Sequence, residues 1–437
     1  MCPNEPALFV CYEGESEMIV VTSTDDFLCS YDSEDMWNRF MTHMNRFVKT
    51  TCQEGNVLKY LSTRVIQSDM GISFDQTSHI ITRILDKWFP ANSTERLKTA
   101  DTPYRTDGEF EKAINETLPA TGEELARLER EYGGKYNAHI GEFLHIQQVS
   151  RFELGFALSR LSQYNVAPNE PAFQGLKRMA RFLATHTHAP IFYPRLSLKM
   201  YQTIRFEVEP GKFVEHVISN LFQFFKDSDH ARDIKTRKSI TCVVAAMLGV
   251  FVHWQMGKQS CIAAHSTDAE IRAFFTAMLQ NRYFRPILEY LRIPLRDPTV
   301  IWEDNQPAID IMTANQITSR VKHMAVPIAM INEDIQQGTC IPKKISGILN
   351  PADIGTKPLP ASTLHRHWRF GRGQRFYPPV ESEHGTLMQV DKVLQRMTEF
   401  DTASPSYINY KQMRNFAAVY DTKNVKEKKK ASESRES

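Results

Sequence analysis

Four acidic residues at predicted element boundaries have the chemistry to hold divalent metal ions. They are Asp227, Glu270, Asp304 and Asp353. Asp227 and Asp304 each end a strand-like run, and Glu270 lies in the first turn of a long predicted helix. Carboxylates gathered at one place repel one another by roughly 4 kcal/mol per pair at 4 Å in a moderately polar site. Divalent cations relieve that repulsion, and acids holding two Mg²⁺ ions about 4 Å apart cleave phosphodiesters in line.

Three of these acids have a structural alternative. Thr267 and Glu270 have the spacing of a capping box, in which the glutamate side chain reaches back to the start of its own helix. Asp304 precedes a predicted helix that begins near Pro307, so it fits an N-cap as well as a metal ligand. Asp353 also has the position of a cap. Any one acid is more often a cap or a solvated side chain than a catalytic residue, and only the set of four favours a metal site.

Two pairs of aspartates leave their roles open. Asp227 and Asp229 are two residues apart, so on an extended strand both face the same side and either could be the ligand. Asp25 and Asp26 separate two short apolar runs. By composition alone, paired aspartates between strands are turn formers.

The composition is that of an ordinary globular protein. The 437 residues predict two or three domains, and the net charge of +2 means that any nucleic-acid surface must be local. Seven scattered cysteines without a Cys-x-x-Cys pair indicate free thiols in a reducing compartment rather than a zinc site. We find neither an apolar run of about 18 residues nor a secretory signal, which predicts an intracellular protein that is not membrane-bound.

Residues 222 to 352 have the element order of a mixed α/β sheet. Three strands come first and are followed by alternating helices and strands, a pattern typical of such sheets. The predicted elements are strands 222–226, 239–246 and 249–256, helix 267–291, strand 299–303, helices 306–314 and 326–336, strand 339–345 and a helix that starts at 352.

The rest of the chain is patterned less evenly. Strand-like runs within 7–30, 57–66 and 71–74 alternate with predicted helices 34–49 and 79–89. Residues 90–135 are polar and predict a loop or insertion with one helix near 121–130. Helices are predicted within 137–185 and short strands within 190–217. Residues 366–377 interleave cations with aromatic rings, which suits either base stacking or arginine stems over aromatic surface. No pattern is clear after 360, and 423–437 predict a disordered basic tail.

Five motifs in order give the C-terminal half a specific resemblance. They are Phe225-Lys226-Asp227-Ser228-Asp229, His265-Ser266-Thr267-Asp268-Ala269-Glu270, Glu303-Asp304-Asn305-Gln306-Pro307, Ser319-Arg320-Val321-Lys322-His323 and Asn350-Pro351-Ala352-Asp353-Ile354-Gly355-Thr356-Lys357. Together they resemble the RNase H domain of copia-type LTR retrotransposon Pol polyproteins. Upstream, 24–28 resemble the palm hairpin of the reverse transcriptase, 58–61 and 80–85 its thumb, and 156–162 and 175–183 its connection.

The resemblance implies α/β and α+β parts arranged in five regions. Residues 1–90 would be a truncated reverse transcriptase palm with the thumb, and 91–135 a polar insertion or loop. Residues 136–217 would be the connection, and 218–360 an RNase H-like domain with a five-stranded mixed sheet and helices. Residues 361–437 would be a C-terminal extension.

The resemblance also implies a function. The chain would cleave the RNA strand of an RNA–DNA hybrid, with Asp227, Glu270, Asp304 and Asp353 as catalytic ligands of two Mg²⁺ ions, or of Mn²⁺. Asp25 and Asp26 would be a further metal-binding pair. Nucleic acid would be held by Arg320, Lys322, His323, Lys177 and Arg178. Other retrotransposon Pol or Gag products are the expected protein partners.

Departures from the family pattern favour a second hypothesis. Ser23 stands where the family has a tyrosine, and only 24 residues precede Asp25, too few for the earlier palm aspartate. DNA synthesis by this chain alone is therefore not expected. His230 replaces an aromatic residue of the family's RNase H motif. The alternative is a catalytically inactive protein of retrotransposon origin that binds nucleic acid or serves as a scaffold.

Overall fold

A computed structural model describes residues 1–90, 98–195, 204–209, 212–216, 222–233, 236–293, 295–314, 319–373 and 416–420. The strands are β1 (Leu8–Glu13), β2 (Ser16–Ser23), β3 (Asp26–Tyr31), β4 (Cys52–Gln53), β5 (Val57–Tyr60), β6 (Thr63–Ser68), β7 (Gly71–Asp75), β8 (Ile191–Pro194), β9 (Ile204–Glu209), β10 (Lys212–His216), β11 (Phe222–Asp229), β12 (Ile240–Met247), β13 (Val250–Lys258), β14 (Thr299–Glu303), β15 (Cys340–Lys344) and β16 (Phe416–Tyr420).

The helices connect and cover these strands. They are α1 (Glu34–Phe47), α2 (Thr77–Ile80), α3 (Asp86–Trp88), α4 (Gly108–Glu116), α5 (Gly122–Glu131), α6 (Tyr136–Val149), α7 (Gly155–Leu161), α8 (Glu170–Thr185), α9 (Ser266–Tyr290), α10 (Gln306–Thr313), α11 (Ala325–Gln336) and α12 (Ala361–Gly371). A π-helical turn, Ile81–Leu85, joins α2 to α3. Short 3₁₀ helices cover Phe152–Leu154, Ser162–Tyr164, Ser319–Met324, Gly347–Leu349 and Pro351–Gly355.

The sheet that carries the acidic residues has five strands in the order β13-β12-β11-β14-β15. β12 runs antiparallel to both of its neighbours, β11 and β13, whereas β14 is parallel to β11 and β15 is parallel to β14. The predicted five-stranded mixed sheet is therefore confirmed. Because β11 and β14 are parallel neighbours, both end at the same edge of the sheet.

Helices cover both faces of this sheet. Strand alternation sends Phe222 and Phe224 into a core with α9, α10 and α11. Phe225 faces the other side, where it joins a larger core shared with α4 to α8 and α12. The helices encoded by residues 108–185 thus pack on the sheet that begins at residue 222, far away in sequence.

The N-terminal region contributes most strands of two smaller sheets, and β8 and β16 add one strand each. One has the order β1-β2-β3-β16-β4 and the other the order β5-β6-β7-β8. The Tyr12 hydroxyl donates a hydrogen bond of 3.2 Å to the carbonyl of Tyr290, at the end of α9. The five-region division, and the identity of these sheets as palm and thumb, stay predictions.

Two stretches are more ordered than their sequences indicated. The polar segment 90–135 was predicted to contain one helix, but its described part contains α4 and α5, whose Phe110, Ile114 and Leu128 are buried in the large core. After residue 360 no element was predicted, yet α12 buries Trp368 and Phe370. Both stretches have few apolar residues among many polar ones, so their helical hydrophobic periodicity is too weak to detect in the sequence. The predicted tail 423–437 lies outside the described residues.

No helix in the described residues combines the length and apolar character that a bilayer-spanning segment needs.

Asn169 ties two of the helices together and gives a stability prediction. Its side chain caps α8 by accepting from the Ala172 N–H at 3.0 Å, and it donates to the carbonyls of Ile114 and Thr117 at 3.0 and 2.9 Å. Asn169→Ala should lower the free energy of unfolding by about 2 kcal/mol or more, because the cap is lost and two carbonyls lose their donor. Asn169→Ser keeps a capping oxygen, so its free energy of unfolding in urea should lie between those of the wild type and Asn169→Ala. Equal stability of all three proteins would contradict this account.

Candidate metal centre

Three of the four predicted acids converge at the edge where β11 and β14 end. Asp227 lies near the end of β11, Asp304 follows β14 directly, and Glu270 lies near the N-terminus of α9, which packs on the sheet. One carboxylate oxygen from each side chain lies within 4.8 Å of those of the other two. We call these three residues the acid cluster. Its oxygens are hard donors, the ligand type that Mg²⁺ and Mn²⁺ accept, so the donor set fits a divalent cation.

Asp353 lies beside the acid cluster and is linked to it by a lysine. It belongs to the 3₁₀ helix Pro351–Gly355. The Lys357 ammonium donates to Asp353 Oδ1 at 2.6 Å and lies 3.4 Å from Asp227 Oδ2. Burial, followed by the charge of Asp227, raises the pKa of Asp353 to about 7. Burial opposes the charge on Lys357, but the two aspartates outweigh it and raise the lysine pKa.

Glu270 contacts a second, fully buried lysine. The Lys226 ammonium lies 2.5 Å from Glu270 Oε2 and also contacts Glu303, the last residue of β14. Burial raises the pKa of Glu270, and the charge of Lys226 offsets part of that rise. α9 begins after His265 and has no side-chain cap. The Glu270 carboxylate therefore pairs with Lys226 and does not cap the helix, so the structure does not support the capping-box alternative.

The other capping alternatives are not supported either. Asn305, not Asp304, caps α10, and its side chain accepts from the Ala308 N–H at 3.0 Å. Asn350, not Asp353, caps the 3₁₀ helix that follows it. Both aspartates therefore have carboxylates that are not used by helix ends.

Asp229, the alternative to Asp227, is directed to another partner. It is buried, lies outside the acid cluster and faces Arg232 at 3.5 Å. Burial raises its pKa to about 6, with the arginine opposing the rise. The geometry thus favours Asp227 of the two, and the ligand role of Asp227 stays a prediction.

Several residues that support the site were not singled out from the sequence. The Thr356 hydroxyl donates to Asp227, and Asn350 donates to the carbonyl of Lys226 at 2.9 Å. At Gly355 a Cβ atom would lie 2.6 Å from Cys242 Sγ, so only glycine lets this turn approach β12. The sequence held one usable signal, the charge of Lys226 directly after the apolar run of β11, because a buried ammonium requires a buried partner.

Asp25 and Asp26 lie on a hairpin, as predicted. Ser23 pairs with Asp26 across β2 and β3, so Thr24 and Asp25 form the tight turn, and Thr24 has a φ of 51°. Within the described ranges, no third candidate metal ligand forms a group with the two aspartates. Their metal-binding role stays a prediction.

The basic segment 319–323 approaches the start of α9. His323 Nε2 lies 3.2 Å from Asp268 Oδ2, and Asp268 is two residues before Glu270. Lys322 is exposed. The side chain of Arg320 lies outside the described residues. This placement brings predicted phosphate contacts to the helix terminus that carries one of the clustered acids.

Lys177 and Arg178, also predicted to bind nucleic acid, lie on α8. The Arg178 guanidinium donates to the carbonyl of Thr102 at 3.1 Å and to its hydroxyl at 2.9 Å. Arg178 thereby anchors α8 to the segment before α4. A contact of either residue with nucleic acid stays a prediction.

The chain is similar in sequence to retrovirus-related Pol polyproteins from transposons. No family model matches the chain. It is 27% identical over 225 residues to the retrovirus-related Pol polyprotein from transposon RE1 of Arabidopsis thaliana, covering 52% of this chain and 14% of the relative. It is 24% identical over 357 residues to that from transposon RE2 of the same plant, covering 82% and 22%. For transposon TNT 1-94 of Nicotiana tabacum the identity is 24% over 280 residues, covering 64% and 19%.

These relatives confirm the resemblance to Pol polyproteins of copia-type transposons. The chain spans less than a quarter of the length of each of them. A crystal structure of LC11-RNase H1 in complex with an RNA/DNA hybrid is 12% identical and covers 30% of this chain and 88% of its own, with a TM-score of 0.22.

Proposed function

We propose that the protein is an RNase H-type endonuclease that cleaves the RNA strand of an RNA–DNA hybrid. The observation that carries the proposal is the acid cluster, in which Asp227, Glu270 and Asp304 meet at one edge of a mixed sheet. The similarity to retrotransposon Pol polyproteins supports a nucleic-acid substrate. Such a substrate also leads us to place the protein inside the cell, with other Pol or Gag products as candidate partners.

The acid cluster would hold Mg²⁺, and Asp353 would stand at its rim. Two bound ions supply activation of a water molecule and stabilisation of the leaving 3′ oxygen. The chain itself fixes the ligands. Thr356 and Lys357 orient Asp227, Lys226 holds Glu270, and Asp304 is fixed by its place after β14. Rigid support of this kind sets the geometry that such a reaction requires.

The hybrid would be bound through its shape and backbone. A-form helices expose phosphates and 2′-hydroxyls rather than readable base edges, so contacts are largely independent of sequence. Lys322 is exposed on the segment that reaches α9 and is a candidate phosphate contact. We include Arg320 and His323 in the same role. The binding should weaken as salt increases, because phosphate contacts release counterions.

The N-terminal sheets belong to the proposal as reverse transcriptase palm and thumb, with residues 136–217 as the connection. We assign no DNA synthesis to them. Polymerase chemistry needs more carboxylate ligands than one adjacent pair. Asp25 and Asp26 gain no third ligand from the part of the chain that the structure describes.

A second candidate function is supported by the two lysines at the site. Lys226 and Lys357 already pair with Glu270, Asp227 and Asp353. An acid cluster neutralised in this way could persist in a protein that binds nucleic acid without cleaving it. The two functions differ in one measurable property, which is product formation.

A panel of substrates tests the proposal. Purified protein in Mg²⁺ should cut the RNA of a labelled hybrid and leave single-stranded RNA, duplex RNA and duplex DNA largely intact. Binding to the hybrid without cleavage in either Mg²⁺ or Mn²⁺ would support the scaffold function instead. Equal cutting of all four substrates would contradict hybrid specificity.

A further inference from the structure

Lys226 is a fully buried cation placed directly against the acid cluster. It is 0% exposed, and so is Glu303, one of its two carboxylate partners. Its other partner is Glu270, a member of the acid cluster, whose carbonyl oxygen also lies 3.4 Å from the ammonium. A lysine at this depth is unfavourable unless paired, and the two glutamates provide that pairing.

The two glutamates are held differently. Glu303 Oε1 accepts the Asn305 N–H at 2.9 Å, so its position is fixed by the turn after β14. Glu270 belongs to α9. One oxygen of its carboxylate accepts a hydrogen bond from Lys226, and the same carboxylate is part of the acid cluster. Lys226 therefore links β11, β14 and α9 through one charge. It is bound to the same carboxylate that a metal ion in the acid cluster would use.

We propose that Lys226 is a resident cation of the acid cluster, which holds Glu270 in place without metal and competes with a divalent ion for that carboxylate. The inference rests on the proposed function in one respect, namely that the acid cluster binds a divalent cation. Lys226 is a positioning residue, since it acts through Glu270. The competition sets how tightly the ion binds, and Glu303 moderates it by sharing the ammonium.

Two variants should change metal affinity in opposite directions. In Glu303→Gln, Glu270 is the one charged partner left to the Lys226 ammonium. Lys226 then competes more strongly with Mn²⁺ for that carboxylate, so Mn²⁺ binding should weaken. In Lys226→Met with Glu303→Gln the buried pair is neutral and Glu270 is released, so binding should become tighter than in the wild type. We expect each change to be about 10-fold, the lower end of the effect of residues that support metal ligands. Mn²⁺ binding to the full-length protein is measured by electron paramagnetic resonance.

A matched control removes another lysine–glutamate pair. Lys112 and Glu116 form an exposed pair on α4, 4.0 Å apart. Lys112→Met with Glu116→Gln should leave Mn²⁺ affinity unchanged. If Lys226 only supported the fold, both site variants would bind Mn²⁺ more weakly, which would overturn the proposal.

A second readout applies if the double variant is unstable. Lys226→Met alone leaves two glutamates without their counter-charge. Its melting temperature should fall in EDTA and rise on adding Mn²⁺ by more than that of the wild type, because the metal replaces the missing cation. A melting temperature that Mn²⁺ does not raise more than in the wild type would overturn the proposal.

The outcomes separate this inference from the proposed function. Equal Mn²⁺ affinity in the wild type and both site variants overturns the role of Lys226 and leaves the nuclease proposal standing. The predicted opposite shifts together with no hybrid cleavage would uphold the role of Lys226 and remove the nuclease proposal. Failure of the wild type and of both site variants to bind Mn²⁺ would overturn both.

Discussion

Asp304→Asn should lower the rate of RNA cleavage in a hybrid by about 100-fold or more, since even residues that only support metal ligands contribute 10- to 100-fold. The side chain of Asp304 is partly exposed, and Asn305 rather than Asp304 caps α10. The free energy of unfolding should therefore change by about 1 kcal/mol or less. Single-turnover cleavage and urea unfolding of the same preparation measure the two effects.

Asp229→Asn is the matched control for that change. It removes an aspartate charge from β11, on the same strand face as Asp227 but outside the acid cluster. Cleavage by this variant should stay within a few-fold of the wild type. A large loss in Asp229→Asn with little loss in Asp304→Asn would mean that the catalytic ligands have been assigned to the wrong residues.

Phe251→Ala should be among the most destabilising single substitutions outside the site. Its side chain is 0% exposed, and its ring centroid lies 4.8 Å from that of Phe152 and 5.9 Å from that of Phe370. It therefore joins β13 to the helical region, residues 108–185, and to α12. Removing such a ring should lower the free energy of unfolding by about 3–5 kcal/mol. The midpoint of urea unfolding should fall accordingly.

The neighbouring residue provides the control. Val252 is 38% exposed and is the extra residue of a bulge, because Ala245 pairs with His253 and Ala246 with Phe251. Val252→Ala should change the free energy of unfolding by about 1 kcal/mol or less. Similar losses in the two variants would show that the sheet and the helical region do not share the core described above.

The five-stranded sheet and the three clustered acids could be predicted because local and global signals agreed. Most strands between 222 and 345 were short apolar runs. Asp227 and Asp304 stood where two of those runs ended, and Glu270 stood in the first turn of the predicted helix 267–291. Strand ends at the same sheet edge then bring distant residues together. The capping alternatives could not be excluded beforehand, because Asn305 and Asn350 satisfy the caps only once the exact helix starts are known.

The remaining features depend on contacts that no local pattern encodes. Lys226 forms ion pairs with Glu270 and Glu303, which lie 44 and 77 positions further along the chain, so the pairing could be found only in three dimensions. Likewise α12 has few apolar residues, and it becomes ordered because Trp368 and Phe370 enter a core built mainly by other segments. In both cases tertiary packing, rather than local propensity, determined the outcome.

Metal-dependent cleavage of an RNA–DNA hybrid by the wild-type protein tests the central claim most directly. The protein is first freed of metal with EDTA and then supplied with Mg²⁺, and the cut RNA strand is followed over time. The proposed function predicts no products in EDTA, products with 3′-hydroxyl ends after Mg²⁺ is added, and little activity in Asp304→Asn under the same conditions. Hybrid binding without products in Mg²⁺ or Mn²⁺, or cleavage that persists in EDTA, would contradict it.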